Sequence, residues 1–297
     1  MKSSVGFIGL GMMGTPMAAR LQTAGFLFAV HNRTKKKASS FVEEGATWCE
    51  SPKEVAEKSE IVFSMLSNSE ALSECALGSN GLLKGAQKGS VHVDMSTVSP
   101  AVTKELGERY RREGCVFLHS PVLGSVPQAT DGSLLLFVGG EEVGFRRAEP
   151  ALKTLGSRIW RFGQPEHASH MKLLCNMFIA GMGTTLAQAL VFAEKANVDP
   201  NILLDVLNQS ALGAPMYQTK GKSMLDRNFA PRFFVEHMLK DLNLMLQAGK
   251  ELNVPLPATE VAQRLYSEAT EAGFSKEDYS AVIKVLERQA GIEVEKK

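Results

Sequence analysis

Residues 5–34 read VGFIGLGMMGTPMAARLQTAGFLFAVHNRT. A short β-branched and aromatic run enters a glycine-rich turn, an amphipathic helical stretch follows, and a second apolar run closes the unit. Few segments constrain a fold as tightly, because strand, helix and strand in this order build a parallel sheet. Gly9, Gly11 and Gly14 form GxGxxG where the first strand passes into the helix, with Leu10, Met12 and Met13 between them. Gly9 permits a tight turn, Gly11 lets the backbone approach a pyrophosphate and Gly14 lets the helix pack on the sheet, while the helix N-terminus attracts the anion. The spacing in this context predicts a bound dinucleotide.

The end of the second strand bears on which dinucleotide. A site for NAD usually carries Asp or Glu there for the ribose hydroxyls. Here the strand ends His31, Asn32, Arg33, Thr34, and Lys35, Lys36 and Lys37 follow. No carboxylate stands there to repel a phosphate, and Arg33 can stack on adenine and grip a 2′-phosphate with Thr34 as a further donor. The plain alternative is a solvated basic turn. The expected cofactor is NADPH rather than NADH.

Further strands are expected at 59–66, 90–97, 115–122, 133–140 and 157–163, with helical segments between several of them. Such alternation predicts an α/β fold, a doubly wound, mostly parallel sheet with ligands beyond the carboxyl ends of the strands. The loops Leu66 to Asn68, Ser96 to Pro100 and Pro121 to Gln128 then face the cofactor. From about residue 165 the pattern is helical throughout, so residues 1–164 are expected to form the dinucleotide-binding domain and 165–297 an all-α substrate and dimerisation domain. The second domain starts with a stretch, His167 to Ala193, whose one formal charge is Lys172. Apolar side chains on all sides and no proline predict one long buried helix. Its uncharged run could span a bilayer, but Asn176, Thr184, Thr185 and Gln188 interrupt it. Lys172 either snorkels to the surface or has its ammonium held in a dry cleft for chemistry.

With 33 basic and 32 acidic residues the net charge is +1, which gives no electrostatic case for nucleic acid or an anionic membrane. A small molecule or another copy of the chain is the expected partner. The apolar run beginning at Val5 leaves no room for a secretory leader, and Cys49, Cys75, Cys115 and Cys175 form no CxxC pair. A cytoplasmic soluble protein with free thiols is expected. His167 and His170 lie at helical spacing without an evident third ligand, so no metal is expected.

Together, the cofactor loop, DMSTVSP at 94–100, PVLGS at 121–125, Lys172 with Asn176, and Lys240 with Asp241 make the chain resemble the β-hydroxyacid dehydrogenase family over nearly its whole length. Within that family APMYQTKGKSM, PRFFVEHMLKD and DYSAVIKVLE are most similar to glyoxylate/succinic semialdehyde reductases, which reduce small carboxylate-bearing aldehydes with NADPH. The resemblance implies Lys172 as the acid that protonates the developing alkoxide, with Asn176 one turn away orienting substrate or holding the lysine. Partial desolvation is expected to bring the lysine's pKa toward the working pH. The resemblance further implies Leu66 and Thr97 on the cofactor, Thr97 against the nicotinamide ribose, and Lys240 reaching the cofactor from the helical domain. It implies Ser96 and the 123–125 turn on the substrate, with Phe233 and Asp241 lining or bracing the cleft.

The family commonly has an acidic residue and then Ala-Pro-Val-Ser-Gly where this chain has His119, Ser120, Pro121, Val122, Leu123, Gly124. Leu123 replaces a hydroxyl that helps hold the substrate carboxylate, a loss of roughly 1.5–3 kcal/mol. The backbone N–H groups of Gly124 and Ser125 remain as donors. A bulkier or less polar aldehyde than glyoxylate is therefore expected as the better substrate. Glu166 and Ala168 also stand where the family often has glycines. Three other readings are oxidation of 3-hydroxyisobutyrate, imine reduction, and a cofactor-binding module without turnover. Arg33 argues mildly against the first, and Lys172 against the other two. Small residues at Ala180, Gly181 and Gly183 allow close helix packing, so a homodimer or homotetramer is expected.

Overall fold

The computed structural model describes residues 3–294. The chain divides into two compact units between Lys172 and Leu173.

The first unit is built on nine strands: β1 (Val5–Ile8), β2 (Leu27–His31), β3 (Thr47–Trp48), β4 (Ile61–Ser64), β5 (Val91–Asp94), β6 (Val116–His119), β7 (Val122–Leu123), β8 (Leu134–Gly139) and β9 (Gly156–Phe162). Strands β3, β2, β1, β4, β5 and β6 lie side by side in that order and all pair in parallel. Strand β8 is antiparallel to β6 and β7, and β9 pairs with β8 in parallel. The chain order reverses between β1 and β4, the place where such sheets open a crevice for a ligand. Expected strands at 59–66, 90–97, 115–122, 133–140 and 157–163 correspond to β4, β5, β6, β8 and β9.

One loop departs from expectation. Within Pro121 to Gln128, Val122–Leu123 form β7 and Val126–Asp131 form a helix. Pro121 has no N–H to continue the β6 ladder, but its carbonyl accepts from Phe137 N–H at 3.1 Å, so the chain stays on β8 past the proline.

Helices α1 (Gly14–Thr23), α2 (Ser39–Glu43), α3 (Pro52–Glu57), α4 (Ser69–Leu77), α5 (Leu82–Gly85), α6 (Pro100–Arg112), α7 (Val126–Asp131) and α8 (Glu142–Leu155) connect the strands. Local sequence sets their starts: Ser51 before Pro52 and Ser99 before Pro100 each accept a first-turn N–H, and the prolines need none. Phe7, Phe63, Val93, Leu118 and Leu136 of the sheet pack with Met17 and Leu21 of α1 and Leu152 of α8 in one core.

Helix α9 (Pro165–Lys195) runs through the point of division, and α10 (Pro200–Gln209), α11 (Pro215–Leu225), α12 (Val235–Glu251), α13 (Pro257–Ala269) and α14 (Ile283–Ala290) complete the second unit. Its core gathers Ala180, Leu186, Ala187 and Leu190 of α9 with Met238, Leu242 and Met245 of α12 and Tyr266 of α13. By length and composition α9 would pass for a membrane span, yet this face of it forms the core of the helical unit. The expected burial on all sides does not hold within the single chain. Phe178 and Phe192 are 70% and 75% exposed, because the core covers only one stripe of the helix.

Candidate active site

The glycine-rich turn sits at the carboxyl end of β1, beside the chain reversal. Gly9 has φ +98°, and a Cβ there would collide with the Met65 carbonyl that follows β4. At Gly14 a Cβ would collide with the Gly9 carbonyl oxygen and lie 3.3 Å from the Phe7 ring. Fold geometry thus demands both glycines. Gly11 differs: a Cβ would meet nothing within 4 Å, and its φ lies outside the left-handed region. The protein has no packing reason for glycine at this exposed position, which stands in the turn just before the N-terminus of α1. That is where a phosphate is held at a helix N-terminus, so the residues present fit a dinucleotide. Leu10 is buried, while Met12 and Met13 form the first part of the α1 entry.

Asn32, at the strand end where the cofactor is expected, has its side-chain amide hydrogen-bonded to backbone on both sides. Its Oδ1 accepts from Leu10 N–H at 2.9 Å and its Nδ2 donates to the Thr34 carbonyl at 2.9 Å. It therefore shapes both the phosphate turn and the end of β2. Beyond it, Arg33 and Thr34 are exposed. Lys35 is tied to Glu50 at 2.8 Å and lies 5.0 Å from the Trp48 ring centroid. Among the described residues, Arg33, Lys36 and Lys37 form no ion pair, which leaves Arg33 as the cation nearest the strand end.

Leu66, Ser96 and Thr97 follow β4 and β5. Leu66 N–H donates to Ser96 Oγ at 2.8 Å, which clips the two loops together. Ser96 is fully buried, so its hydroxyl sets the loop rather than reaching a substrate, and Thr97 beside it is half-buried. Its partner is Asp94: Ser96 Oγ–H and Ser64 Oγ–H both donate to Asp94 Oδ1 at 2.7 Å, and Ser96 N–H donates to Oδ2 at 3.3 Å. Burial pushes the Asp94 carboxyl up, but the contact with His119 and the Ser64 hydrogen bond outweigh it and hold it below the usual range. Burial pushes His92 down to about 4. The motif DMSTVSP contains Asp94 and Ser96, but nothing in it signals that the carboxylate is buried.

The 123–125 turn has less to offer a carboxylate than expected. Leu123 pairs with Leu135 of β8 and is half-buried. Gly124 has φ +140°, and a Cβ there would lie 2.8 Å from Leu134. Ser125 N–H donates to Gln128 Oε1 at 2.9 Å as half of a capping box on α7, so it is no longer available.

Lys172 is half-buried on α9, and Asn176 lies four residues on. In the helical unit Asn176 is buried, and its Nδ2 donates to Asp241 Oδ2 at 2.6 Å. Lys240 Nζ lies 2.8 Å from the other oxygen, Asp241 Oδ1, within ion-pairing range. Asn176, Asp241 and Lys240 thus form one polar row joining α9 and α12. Phe233 precedes α12 and packs its ring edge-on to Tyr279 at 6.0 Å between centroids. Its backbone is fixed as well, since Phe233 N–H donates to Asp278 Oδ2 at 3.4 Å and its carbonyl accepts from Tyr279 N–H at 2.8 Å. Among the described residues, no three His, Cys, Asp or Glu side chains cluster as metal ligands.

Residues 4–163 match the family model for the NAD binding domain of 6-phosphogluconate dehydrogenase, and residues 167–286 match that for NAD-binding of NADP-dependent 3-hydroxyisobutyrate dehydrogenase. Glyoxylate/succinic semialdehyde reductase 1 of Arabidopsis thaliana is 36% identical over 95% of this chain and 98% of its own. The 2-(hydroxymethyl)glutarate dehydrogenase of Eubacterium barkeri is 33% identical over 98% of this chain and 97% of its own. The Mycobacterium tuberculosis 3-hydroxyisobutyrate dehydrogenase structure with L-serine superposes with a TM-score of 0.88 at 28% identity, covering 96% of this chain and 99% of that one. The phosphate-binding turn, the parallel sheet and the helical unit with its lysine-bearing helix all agree with these matches: the chain belongs to the β-hydroxyacid dehydrogenase family of NAD(P)-dependent oxidoreductases.

Proposed function

We propose that the protein reduces small carboxylate-bearing aldehydes to hydroxyacids, with NADPH as cofactor. The observation that carries the reading is Lys172, the one formal charge between His167 and Ala193, held half-buried on α9. Bound NADPH supplies a hydride to the carbonyl carbon. Negative charge then grows on the carbonyl oxygen, and Lys172 Nζ–H protonates it; in the reverse direction the neutral amine takes the proton back. Gly11 leaves the backbone open to the pyrophosphate, and Asn32 keeps that turn in shape. Arg33 and Thr34 take the 2′-phosphate, and Leu66 and Thr97 serve the nicotinamide half. Asp241 holds Asn176 and Lys240 in a single arrangement, Lys240 for the cofactor and Asn176 for the substrate, and Phe233 adds an apolar wall.

Leu123 stands where a hydroxyl is expected, and the Ser125 N–H is committed to Gln128. This supports aldehydes bulkier or less polar than glyoxylate as the better substrates. A second reading, oxidation of 3-hydroxyisobutyrate, is favoured by the TM-score of 0.88 to the mycobacterial dehydrogenase. Initial rates with short aldehydes and NADPH or NADH, set against rates with 3-hydroxyisobutyrate and either oxidised cofactor, decide between them. Faster turnover of 3-hydroxyisobutyrate with NAD than of any aldehyde with NADPH would overturn the first reading.

Leu174, Phe178 and Phe192 of α9 and Ile202, Val206 and Leu212 after it are exposed large apolar side chains of the helical unit. That much apolar surface supports a homo-oligomer, which light scattering on the purified protein would test. Free thiols at all four cysteines, with Cys49, Cys75 and Cys115 buried, support a cytoplasmic, reducing location.

A further inference from the structure

His31, Ile8, Ser64, Asp94, His119 and Gly139 are register partners, one to the next, across six strands. For β1, β2, β4, β5 and β6 this row is the last before the loops at their carboxyl ends. Asp94 occupies this row fully buried and anionic, a costly placement unless every lone pair is answered.

Two chains of donors answer it. A backbone N–H can only donate, so Leu66 N–H fixes Ser96 Oγ as acceptor and leaves the serine proton for Asp94 Oδ1. In the second chain Ser64 Oγ–H also donates to Oδ1, so Ser64 accepts from His92 Nε2–H at 2.8 Å. His92, neutral, then accepts at Nδ1 from Tyr110 O–H at 2.9 Å. On the third side His119 Nδ1 lies 3.2 Å from Asp94 Oδ2, near enough for electrostatic attraction though not aligned as a hydrogen bond. His119 is followed at once by Ser120, whose N–H donates to the Asp94 carbonyl at 2.6 Å, and then by the Pro121–Ser125 segment.

One carboxylate thus gathers the ends of β4, β5 and β6 and the first residues of their loops. The phosphate turn and Arg33 belong to β1 and β2, on one side of the chain reversal. The β4, β5 and β6 loops lie on the other side, where the second nucleoside of a dinucleotide extends. We propose that Asp94 is the positioning residue for the nicotinamide half of the cofactor site, acting through Ser96 on the Leu66 and Thr97 loops and through His119 on the Pro121–Ser125 segment. Adenine binding, set by β1 and β2, is independent of it. The inference rests on the dinucleotide-binding reading.

Calorimetric titration tests it, using the dinucleotide that the wild type binds more tightly and its matching adenine half, 2′-phospho-ADP-ribose or ADP-ribose. Asp94→Asn keeps the shape and an acceptor at one oxygen but puts an amide NH2, a donor, where Ser96 N–H needs a second acceptor. The expected result is affinity for the adenine half within about two-fold of wild type, with affinity for the whole dinucleotide lowered at least about ten-fold. Ser96→Ala, which leaves Asp94 and His119 in place, is expected to shift the two ligands in the same selective way, and it serves where Asp94→Asn does not fold. Equal loss on both ligands would mean that the network only stabilises the domain, and unchanged dinucleotide affinity would mean that it positions nothing; either overturns the inference. A wild type that binds neither ligand would instead overturn the dinucleotide reading itself.

Discussion

The three glycines of the phosphate turn differ in what their substitution should do, and the difference separates folding from binding. At Gly14 an added methyl collides with the Gly9 carbonyl oxygen and presses on Phe7 at 3.3 Å. Overpacking of this kind costs about 1–3 kcal/mol. At Gly11 the methyl meets nothing within 4 Å, and the backbone does not need a left-handed φ. Gly11→Ala should therefore leave stability unchanged or raise it by about 0.4–1 kcal/mol, because alanine restricts the unfolded chain. The second glycine of the fingerprint is the one that lets a pyrophosphate approach the backbone, so the same methyl should hinder that approach. Loss of one hydrogen bond to a charged group, about 1.5–3 kcal/mol, corresponds to a dissociation constant raised about ten- to hundred-fold. Urea unfolding and calorimetric titration of the dinucleotide on both variants would check this. The reasoning fails if Gly11→Ala binds the cofactor as wild type does, or if it loses as much stability as Gly14→Ala.

Other expectations follow from single side chains. Arg33→Ala should raise KM for NADPH about ten- to hundred-fold and leave KM for NADH nearly unchanged, measured as initial rates with each cofactor. Leu123→Ser should move the ranking of substrates toward glyoxylate; an unchanged ratio of kcat/KM between glyoxylate and larger aldehydes would contradict the role given to Leu123. His92 is held neutral, its pKa lowered by burial from the ordinary 6.5 to about 4. A base with a lowered pKa in the folded state binds fewer protons there than when unfolded, so its contribution is complete above pH 6.5 and lost as pH falls from 6.5 toward about 4. At 1.36 kcal/mol per unit the whole interval is worth about 3 kcal/mol. Urea unfolding at neutral and at mildly acid pH should show that slope in wild type and a shallower one in His92→Gln.

Much of the first unit was legible because its strands are short β-branched runs ended by glycine, serine or proline, and because GxGxxG stands at a strand-to-helix passage. The positions of Leu66 and Thr97 after strand ends followed from the same reading. What the side chains do there did not. Asn32 reads as part of the strand end that faces the cofactor; its partner Leu10 is brought to it only by the pairing of β1 with β2. Asp94 reads as part of the strand at 90–97 and Ser96 as a substrate contact, since the row joining Ser64, Asp94 and His119 depends on a three-strand register that no local pattern encodes. Ser125 N–H appeared available to a substrate because a capping box is recognisable only once the helix start at Val126 is known. Helix α9 read as buried on every side, since apolar content does not distinguish a face covered by the same chain from one left for another copy.

The proposed proton transfer turns on the ammonium of Lys172. Its most direct test is the steady-state rate of Lys172→Ala with the best aldehyde substrate and saturating NADPH, alongside the variant's melting temperature and NADPH affinity. If Lys172 protonates the alkoxide, kcat should fall about 10²- to 10⁴-fold while melting temperature and cofactor affinity stay near those of wild type. A variant that turns over at the wild-type rate would contradict the proposed chemistry outright.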